Sequence, residues 1–387
     1  MTVKSNGIPY PPYAKRIHQI KCYNVGFGDC FLCKNPTTNS KMLIDCGTHR
    51  SFDNVGVTND IYDELTVAKE KNLIISHLHQ DHYNGISYLL VSHPDLKFDN
   101  IYLPNYISNG SLELYAAMMF YGEEDNPLSK AARSVLAIPG IFANNLSHKS
   151  KIYFVCEGKT FHNELCSFET ILPKKWGKNL YYIDNNQIRD FCSRYQEILS
   201  IKSDNADCTT FEVRITENHR VQDQIDNLLI EYNNIEIPQI SDDELKKLKK
   251  AFTHHHNNMS IAFHETEVCD DHNVMFLGDA ERANIKYACD TYVSKTHYGF
   301  VKIPHHGTQA HFYKNLPSAN YYAITNGNRH RTWEITSQYS DIYGDKSAFV
   351  CSNNANCQIC QLGHTCKAIS NNETVCGITL PSKTISI

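Results

Sequence analysis

The stretch that decides the fold is Leu73-Ile74-Ile75-Ser76-His77-Leu78-His79-Gln80-Asp81-His82. Its apolar beginning predicts a buried strand that ends where the histidines start. Two histidines separated by one residue can bind one metal ion from an extended chain, and the Asp81-His82 pair can then bind a second ion. A polar, histidine-rich loop without metal is the alternative. Four ligand-type side chains in six residues favour the metal site.

The composition is that of an ordinary globular protein, and its net charge limits the kinds of binding partner that are expected. The chain has 387 residues, of which 41% are hydrophobic and 20% charged, enough for one large domain with insertions or for two domains. The formal net charge of -5 argues against a broad, non-specific nucleic-acid groove, which is normally basic. A local site for one phosphate group is compatible with this charge.

The N-terminal residues and the cysteines together indicate a cytoplasmic protein. Residues 1–7 lack the apolar core of a signal peptide, and no apolar run approaches the length of a membrane span, so no membrane association is expected. The 15 cysteines are therefore expected to be reduced thiols or metal ligands rather than disulfides.

Turn signals and alternating apolar residues predict a strand-rich core interrupted by a polar segment. Residues 14–175 are predicted as the first half of the core and residues 253–387 as the second half. Residues 176–252 are polar and helix-leaning, so they are predicted as an insertion, which leaves a protein partner or a homodimer contact open there. An apolar face from Ile188 to Ile198 has helical spacing, and we expect it to pack into the core rather than bind a partner.

Two predicted strands of the second half end in polar side chains. Residues 274–278 lead to Asp279, and residues 300–304 lead to His305-His306. Strands that bring acids and histidines to one edge of a sheet are typical of an α/β active site.

These motifs resemble those of metallo-β-lactamase-fold hydrolases over most of residues 17–350, outside the insertion. The resemblance rests on Leu43-Ile44-Asp45-Cys46-Gly47, His77-x-His79-x-Asp81-His82, Phe276-Leu277-Gly278-Asp279 and His305-His306-Gly307. Further segments are similar to the branch that contains the hydrolase domain of DNA-uptake (competence) channel proteins: Val25-Gly26-Phe27-Gly28-Asp29, Asn257-Asn258-Met259-Ser260, Gly278-Asp279-Ala280-Glu281 and Pro304-His305-His306-Gly307. The resemblance implies an α/β fold of the αββα sandwich type.

The resemblance also implies ligands for two divalent ions in the active site, zinc or manganese. His77 and His79 would bind the first ion, and Asp81 and His82 the second. Asp279 would bridge the two ions, because a carboxylate has two oxygens. Asp81 would also act in catalysis by orienting an attacking hydroxide shared by the metals.

Three further positions are implied around these ligands. Asp45 would orient a ligand loop without touching metal, and its alternative role is to cap the strand end. His256 would be the third histidine of the first ion, with His254 and His255 as neighbouring alternatives. His330 follows a predicted strand and would complete the second ion.

Two sets of side chains are assigned to substrate rather than metal. His305 and His306 would stabilise charge on a phosphoryl group or protonate the leaving oxygen. Either could instead take the place of His330 as a ligand. Arg329 and Arg331 could pair with a phosphate through their planar guanidinium groups, or could simply solvate a loop.

The C-terminal residues carry a separate cysteine signal between residues 351 and 376. Its CxxC spacing is that of a tetrahedral zinc site, and a structural zinc is favoured over a loop of free thiols. His364 could replace one cysteine. The candidate ligands are Cys351, Cys357, Cys360, Cys366 and Cys376. The predicted fold class is therefore α/β, a metallo-β-lactamase αββα sandwich with a helical insertion and a C-terminal cysteine-rich zinc knuckle.

The expected function is a dinuclear metal-dependent hydrolase. A phosphodiesterase or nuclease is favoured, because the branch resemblance points to phosphodiester chemistry and His305-His306 add donors near the metals. Its substrate would be a nucleotide or a nucleic acid, which the residues do not separate. A lactone, thioester or phosphorylcholine-ester hydrolase is an alternative, since one fold serves many reactions. A non-catalytic metal-binding regulatory or interaction protein is another.

Overall fold

A computed structural model describes most of the chain between residues 15 and 386. The described residues are 15–49, 56–123, 125–143, 146–175, 185–201, 211–213, 218–233, 235, 239–266, 273–294, 297–326, 335–343, 348–351, 366–368 and 382–386.

Two sheets, each of eight described strands, form the middle of the fold. The strands are numbered in chain order. The first sheet contains β1 (Gln19–Tyr23), β2 (Cys30–Asn35), β3 (Ser40–Cys46), β4 (Glu70–Ile74), β5 (Phe98–Pro104), β6 (Leu146–Val155), β9 (Phe211–Val213) and β16 (Ser382–Ser386). The second sheet contains β7 (Lys159–His162), β8 (Ser167–Leu172), β10 (Ala262–Glu265), β11 (Val274–Phe276), β12 (His297–Lys302), β13 (Ser318–Ile324), β14 (Ala348–Cys351) and β15 (Cys366–Ala368).

Each sheet combines an antiparallel half with a parallel half. The first sheet has the order β16-β1-β2-β3-β4-β5-β6-β9, with parallel pairing from β3 to β6. The second sheet has the order β15-β14-β13-β12-β11-β10-β8-β7, with parallel pairing from β11 to β15. The parallel halves matter for function, because their carboxyl ends share one edge of the sheet.

Helices cover the outer faces of both sheets. The described helices are α1 (Thr58–Thr66), α2 (Gln80–Ser92), α3 (Asn109–Tyr121), α4 (Pro127–Ala143), α5 (Asn186–Ile198), α6 (Asn218–Asn233), α7 (Asp242–Asn258), α8 (Arg282–Tyr292) and α9 (Gln338–Tyr343). No helix among the described residues is both long enough and apolar enough to cross a membrane.

Alternating side chains build four layers: helices, sheet, sheet, helices. In β4, Leu73 packs with the helices α1–α7, whereas Ile74 packs between the two sheets. In β12, Phe300 packs between the sheets, whereas Val301 packs with α8 and its surroundings. Since successive side chains of a strand point to opposite faces, each sheet is covered on both sides. The mixed α/β architecture with two packed sheets agrees with the expected sandwich.

The segment 176–252 contributes helices to the layer on the first sheet. Its apolar face at Ile188, Phe191 and Tyr195 is 0–1% exposed and lies in the same hydrophobic cluster as the core strands. The expectation that this face packs into the core is confirmed. β9 pairs antiparallel with β6 at the edge of the first sheet. The domain boundaries at 14–175, 176–252 and 253–387 remain predictions.

Most residues of the predicted C-terminal zinc site lie outside the described residues. These are Cys357, Cys360, His364 and Cys376. Cys351 is buried at the end of β14, and the neighbouring parallel strand β15 begins at Cys366.

An aromatic cluster holds the two sheets together. The ring of Phe276, which is 2% exposed, lies 5.2–5.4 Å from the rings of Phe31, Phe263 and Phe300, which come from both sheets. Aromatic rings in such contacts dominate the burial of apolar area.

Replacing Phe276 by alanine tests this packing between the sheets. We expect Phe276→Ala to lower the free energy of unfolding by about 3–5 kcal/mol, because it leaves a cavity that the neighbouring rings fill only in part. Urea unfolding followed by circular dichroism measures the loss. Val91→Ala, at a position 82% exposed, is the matched control and should stay within about 0.5 kcal/mol of wild type. A loss as small as that of the control would contradict the packing.

Candidate metal centre

The site lies where the carboxyl ends of the parallel strands from both sheets meet. Asp45 is near the end of β3, and His77 follows β4. Asp279 follows β11, and His305-His306 follow β12 in a tight turn, Pro304–Gly307. The two sheets therefore deliver acids and histidines to a single place, as the ends of the predicted strands suggested.

Two glycines let the surrounding loops lie directly on the Asp81-His82 backbone. A Cβ atom on Gly28 would come within 2.2 Å of the Gly47 carbonyl oxygen and 2.7 Å of the Asp81 carbonyl oxygen. A Cβ atom on Gly47 would come within 2.4 Å of the Asp81 and His82 backbone. Neither position has room for a side chain, so both glycines are required by close approach.

Four buried side chains form the centre of the site: Asp81, His82, Asp279 and His306. Their candidate ligand atoms all lie within 4.8 Å of one another. Asp279 Oδ2 is 3.3 Å from His82 Nε2 and 3.1 Å from His306 Nε2. The same His306 nitrogen is 3.2 Å from Asp81 Oδ2. Imidazole nitrogens and carboxylate oxygens gathered so closely can hold a divalent metal ion.

Asp45 orients this group from behind. Its Oδ1 accepts a hydrogen bond from the Ser76 backbone N–H at 2.6 Å, and its Oδ2 accepts one from the Ser76 hydroxyl at 2.6 Å. The same Oδ2 lies 2.9 Å from His82 Nδ1, which leaves His82 Nε2 facing Asp279. A carboxylate behind a histidine in this way fixes the ring and its tautomer.

A second group of histidines adjoins the first. His77 Nε2 lies 2.9 Å from His79 Nδ1, and the His77 ring lies 3.9 Å from the His82 ring. The ring of His256, at the end of α7, lies 4.5 Å from the His79 ring. Tyr115 of α3 holds His256, because its hydroxyl lies 2.7 Å from His256 Nδ1. All three predicted ligands of the first ion are thus neighbours.

The neighbours of His256 have different surroundings. His255 points to Ser111, with 2.9 Å between its Nε2 and the hydroxyl oxygen. The side chain of His254 is 66% exposed and lies 3.8 Å from a carboxylate oxygen of Glu281. Of the three candidates, His256 is therefore the one placed beside His79.

Burial and charge shift the titration of the site in opposite directions. Burial alone would lower the pKa of His306, but Asp279 and Asp81 outweigh it and raise this pKa to about 9. Burial would raise the pKa of Asp279, but the nearby His306, His82 and Lys302 hold it well below its ordinary value. Burial lowers the pKa of His79 to about 4. At pH 7, Asp279 and His306 are therefore both charged, and His79 is neutral.

The donor atoms fit a bound metal. Among the described residues, the buried Nε2 atoms of His82 and His306 face carboxylate oxygens at 3.1–3.3 Å without the geometry of a regular hydrogen bond. Buried polar atoms normally make regular hydrogen bonds, so this convergence of nitrogens and oxygens suits ligands around an ion. Neutral imidazole nitrogens and carboxylates are ligands that zinc and manganese accept.

Asp279 presents its two oxygens to different partners. Oδ2 faces His82 and His306, as well as His305 Nδ1 at 3.5 Å. Oδ1 faces the ammonium group of Lys302 at 3.2 Å. Only Oδ2 is thus turned toward the histidines, and the expected bridging role of Asp279 stays a prediction.

Two histidines lie at the partly exposed rim of the site. The His49 side chain is 30% exposed, and its Nε2 lies 3.2 Å from Asp81 Oδ2. The His305 side chain is 14% exposed, and its ring stacks on that of His311 at 3.7 Å. His305 and His306 both have positive φ angles, 45° and 55°, which non-glycine residues adopt rarely and mainly at functional sites.

Some site residues are absent from the sequence prediction, and others cannot be placed. Arg329, His330 and Arg331 lie outside the described residues, so their assignments remain predictions. Sequence reasoning missed Asp29, His49, Lys302 and Tyr115. Asp29 ends the Val25–Asp29 motif, which was a usable signal, whereas Tyr115 lies on a helix with no ligand pattern.

Comparisons with known proteins leave the family open. No protein-family model and no curated protein matches the chain. Among solved structures, it is similar to a long form RNase Z from yeast, with a TM-score of 0.38 and 10% sequence identity. The alignment covers 87% of this chain and 36% of the other, so the chain spans about a third of that enzyme's length. A likeness this weak carries no argument about function.

The raised pKa of His306 predicts how the metal-free protein responds to pH. The protonated ring stabilises the fold at pH values below its unfolded pKa of about 6.5, and this contribution is lost as the pH rises through about 9. We expect the free energy of unfolding of chelator-treated protein to fall by about 3 kcal/mol between pH 6 and pH 9.5. Urea unfolding across this range measures it.

The control for this pH dependence separates His306 from other histidines. His306→Gln should reduce the fall without abolishing it, because, against burial, Asp279 and Asp45 also raise the pKa of His82, whereas His254→Gln, at the exposed position on α7, should retain the full fall. A wild-type profile that is already flat would show that His306 carries no stabilising proton.

Proposed function

We propose that the chain is a metal-dependent hydrolase whose active site is the buried group of Asp81, His82, Asp279 and His306. The observation that carries this proposal is the gathering of their ligand atoms within 4.8 Å, all of them on buried side chains. His82 Nε2 and His306 Nε2 face the same oxygen of Asp279, at 3.3 and 3.1 Å, as ligands placed around one ion would. A hydrolase is favoured over a purely structural metal site because the rim is partly exposed at His49 and His305.

The proposed ligand sets follow the two groups of histidines. His77, His79 and His256 would hold one divalent ion, zinc or manganese. Asp81, His82 and His306 would hold the other, with Asp279 shared. His306 replaces His330 in this proposal, since its Nε2 lies 3.1–3.2 Å from both carboxylates.

The described side chains would orient the metal ligands and contact the substrate. When bound, the ions would supply Lewis-acid activation of water and of the scissile group. Asp45 keeps His82 aimed through its Nδ1. His305 lies at the rim with its Nδ1 3.4 Å from the Asp279 carbonyl oxygen, and burial lowers the pKa of its ring, so it would contact a substrate oxygen as a neutral hydrogen-bonding group. His49 holds Asp81 from the solvent side.

The proposed substrate is a phosphodiester in a nucleic acid. Lys246, Lys250 and His254 are exposed on α7 and follow one another at intervals of four residues, so they share one face of the helix. Each interval is about 6 Å along the axis. The same helix runs to Asn258 and carries the buried His256 in its last turn, so the basic face lies on the helix that supplies a ligand. Two exposed lysines on the helix that supplies His256 suit a polyanionic strand better than a small neutral ester.

A structural zinc near the C-terminus is a separate proposal. Cys351 is buried on β14 beside β15, which begins at Cys366, and the CxxC at Cys357 and Cys360 would supply two further ligands.

Removing Asp279 tests the metal-dependent hydrolase. We expect Asp279→Ala to reduce manganese-dependent cleavage of a model phosphodiester by more than about 100-fold, because even partners behind a metal ligand are worth 10- to 100-fold. Isothermal titration with Mn²⁺ should show lost binding in parallel. Asp290→Ala, at an exposed position on α8, is the matched control. Activity retained in Asp279→Ala with metal still bound would sink this assignment.

Reversing the charge on α7 tests the nucleic-acid substrate. Lys246→Glu/Lys250→Glu should lower the rate on a single-stranded oligonucleotide by roughly tenfold at low salt, with little change on bis(p-nitrophenyl) phosphate. Lys69→Glu/Lys130→Glu, an equal charge change at two exposed positions elsewhere, is the control. Equal losses on both substrates would argue that α7 supports the metal site only and does not bind a strand.

A further inference from the structure

Lys302 is a buried cation inside the acidic site. Its side chain is 1% exposed, although it lies on the apolar strand β12. Its ammonium group is 2.5 Å from Asp29 Oδ2 and 3.2 Å from Asp279 Oδ1, and it donates a hydrogen bond to the Gly278 carbonyl oxygen at 2.8 Å. Burial would lower its pKa, but Asp29 and Asp279 outweigh this and raise it, so the group is charged.

This lysine joins the two sheets at the site. Asp29 immediately precedes β2 of the first sheet, whereas Lys302 ends β12 of the second. The other oxygen of Asp29 accepts a hydrogen bond from the Thr325 hydroxyl and lies 3.5 Å from His306 Nδ1. One buried carboxylate therefore touches both Lys302 and the histidine whose Nε2 faces Asp81 and Asp279.

The contact with Lys302 gives the two carboxylate oxygens of Asp279 different partners. Because Lys302 takes Oδ1, only Oδ2 is turned toward His82 and His306. The ammonium group of Lys302 is itself held in place, because it also contacts the Gly278 carbonyl oxygen and Asp29. The orientation of Asp279 is thus set by protein groups.

We propose that Lys302, held by Asp29, is a positioning residue that stands in for a metal ion's charge and aims Asp279 Oδ2 before any metal binds. The inference rests on the proposed function, because it concerns the same metal ligands. Four carboxylates, Asp29, Asp45, Asp81 and Asp279, are buried within this small volume. Charges buried without an opposite partner are strongly destabilising, so the metal-free site needs a fixed cation. A divalent ion adds positive charge to the same carboxylates and makes the lysine less necessary.

The experiment compares thermal unfolding of full-length protein in chelator and in saturating Mn²⁺, an ion that prefers oxygen and imidazole ligands over thiolates. In chelator, Lys302→Met should lower the unfolding midpoint by on the order of 5–10 °C. Mn²⁺ should restore most of this loss, so its stabilising shift is larger than in wild type. Asp29→Asn breaks the same ion pair but removes a negative charge, so its Mn²⁺ shift should be smaller than in wild type. Lys286→Met, an exposed lysine on α8, is the control and should match wild type.

Each outcome decides one claim. Opposite changes of the Mn²⁺ shift in Lys302→Met and Asp29→Asn support the positioning role. Shifts that change in the same direction, or not at all, overturn it and leave Lys302 as an ordinary core residue. If Lys302→Met does not fold, Asp29→Asn decides alone, and a shift equal to or above that of wild type overturns the inference. A wild-type protein that Mn²⁺ does not stabilise refutes the proposed function itself, and with it the inference.

Discussion

The structure depends on keeping several negative charges buried at one edge of two packed sheets. Asp29, Asp45, Asp81 and Asp279 are 1–5% exposed and lie around His82 and His306. Burial disfavours charged carboxylates, so their stability requires cations close by. Lys302 and protonated His306, whose pKa is raised, supply positive charge without metal. The same arrangement of side chains is suited to hold a divalent ion.

The fold brings these carboxylates together by packing the loops that carry them against one another. Gly28 and Gly47 allow the loops beside β2 and β3 to lie on the Asp81-His82 backbone without a side chain between them. The Asp29 amide donates to the Asp81 carbonyl oxygen, and the Gly47 amide donates to the Asp29 carbonyl oxygen, each at 3.0 Å. The aromatic packing between the sheets then fixes the distance between ligands that come from different sheets. A site assembled in this way is set by the core and by its backbone hydrogen bonds together.

Local patterns predicted much of this architecture, and contacts between distant segments account for what was missed. The run from Leu73 to His82 contains both a buried strand and its ligands, so a short window was enough. Lys302 was missed because one lysine in an apolar strand is usually found at an exposed edge, and only the pairing of β12 with β11 places it beside Asp279. Tyr115 reaches His256 across 141 residues, and no periodicity reports such a contact. His306 was assigned to catalysis with a ligand role as the alternative, and its distances from Asp81 and Asp279 favour the ligand role.

The most direct test of the central claim is the metal content of the purified protein, measured by elemental analysis on wild type and on Cys357→Ser/Cys360→Ser. We predict three metal ions per chain in wild type, two in the His/Asp centre and one in the cysteine site, and two in the variant. One or no ion in wild type would contradict the account. The buried histidines and carboxylates would then be a charged core that stabilises the fold, and the chain would be better explained as a binding protein than as an enzyme.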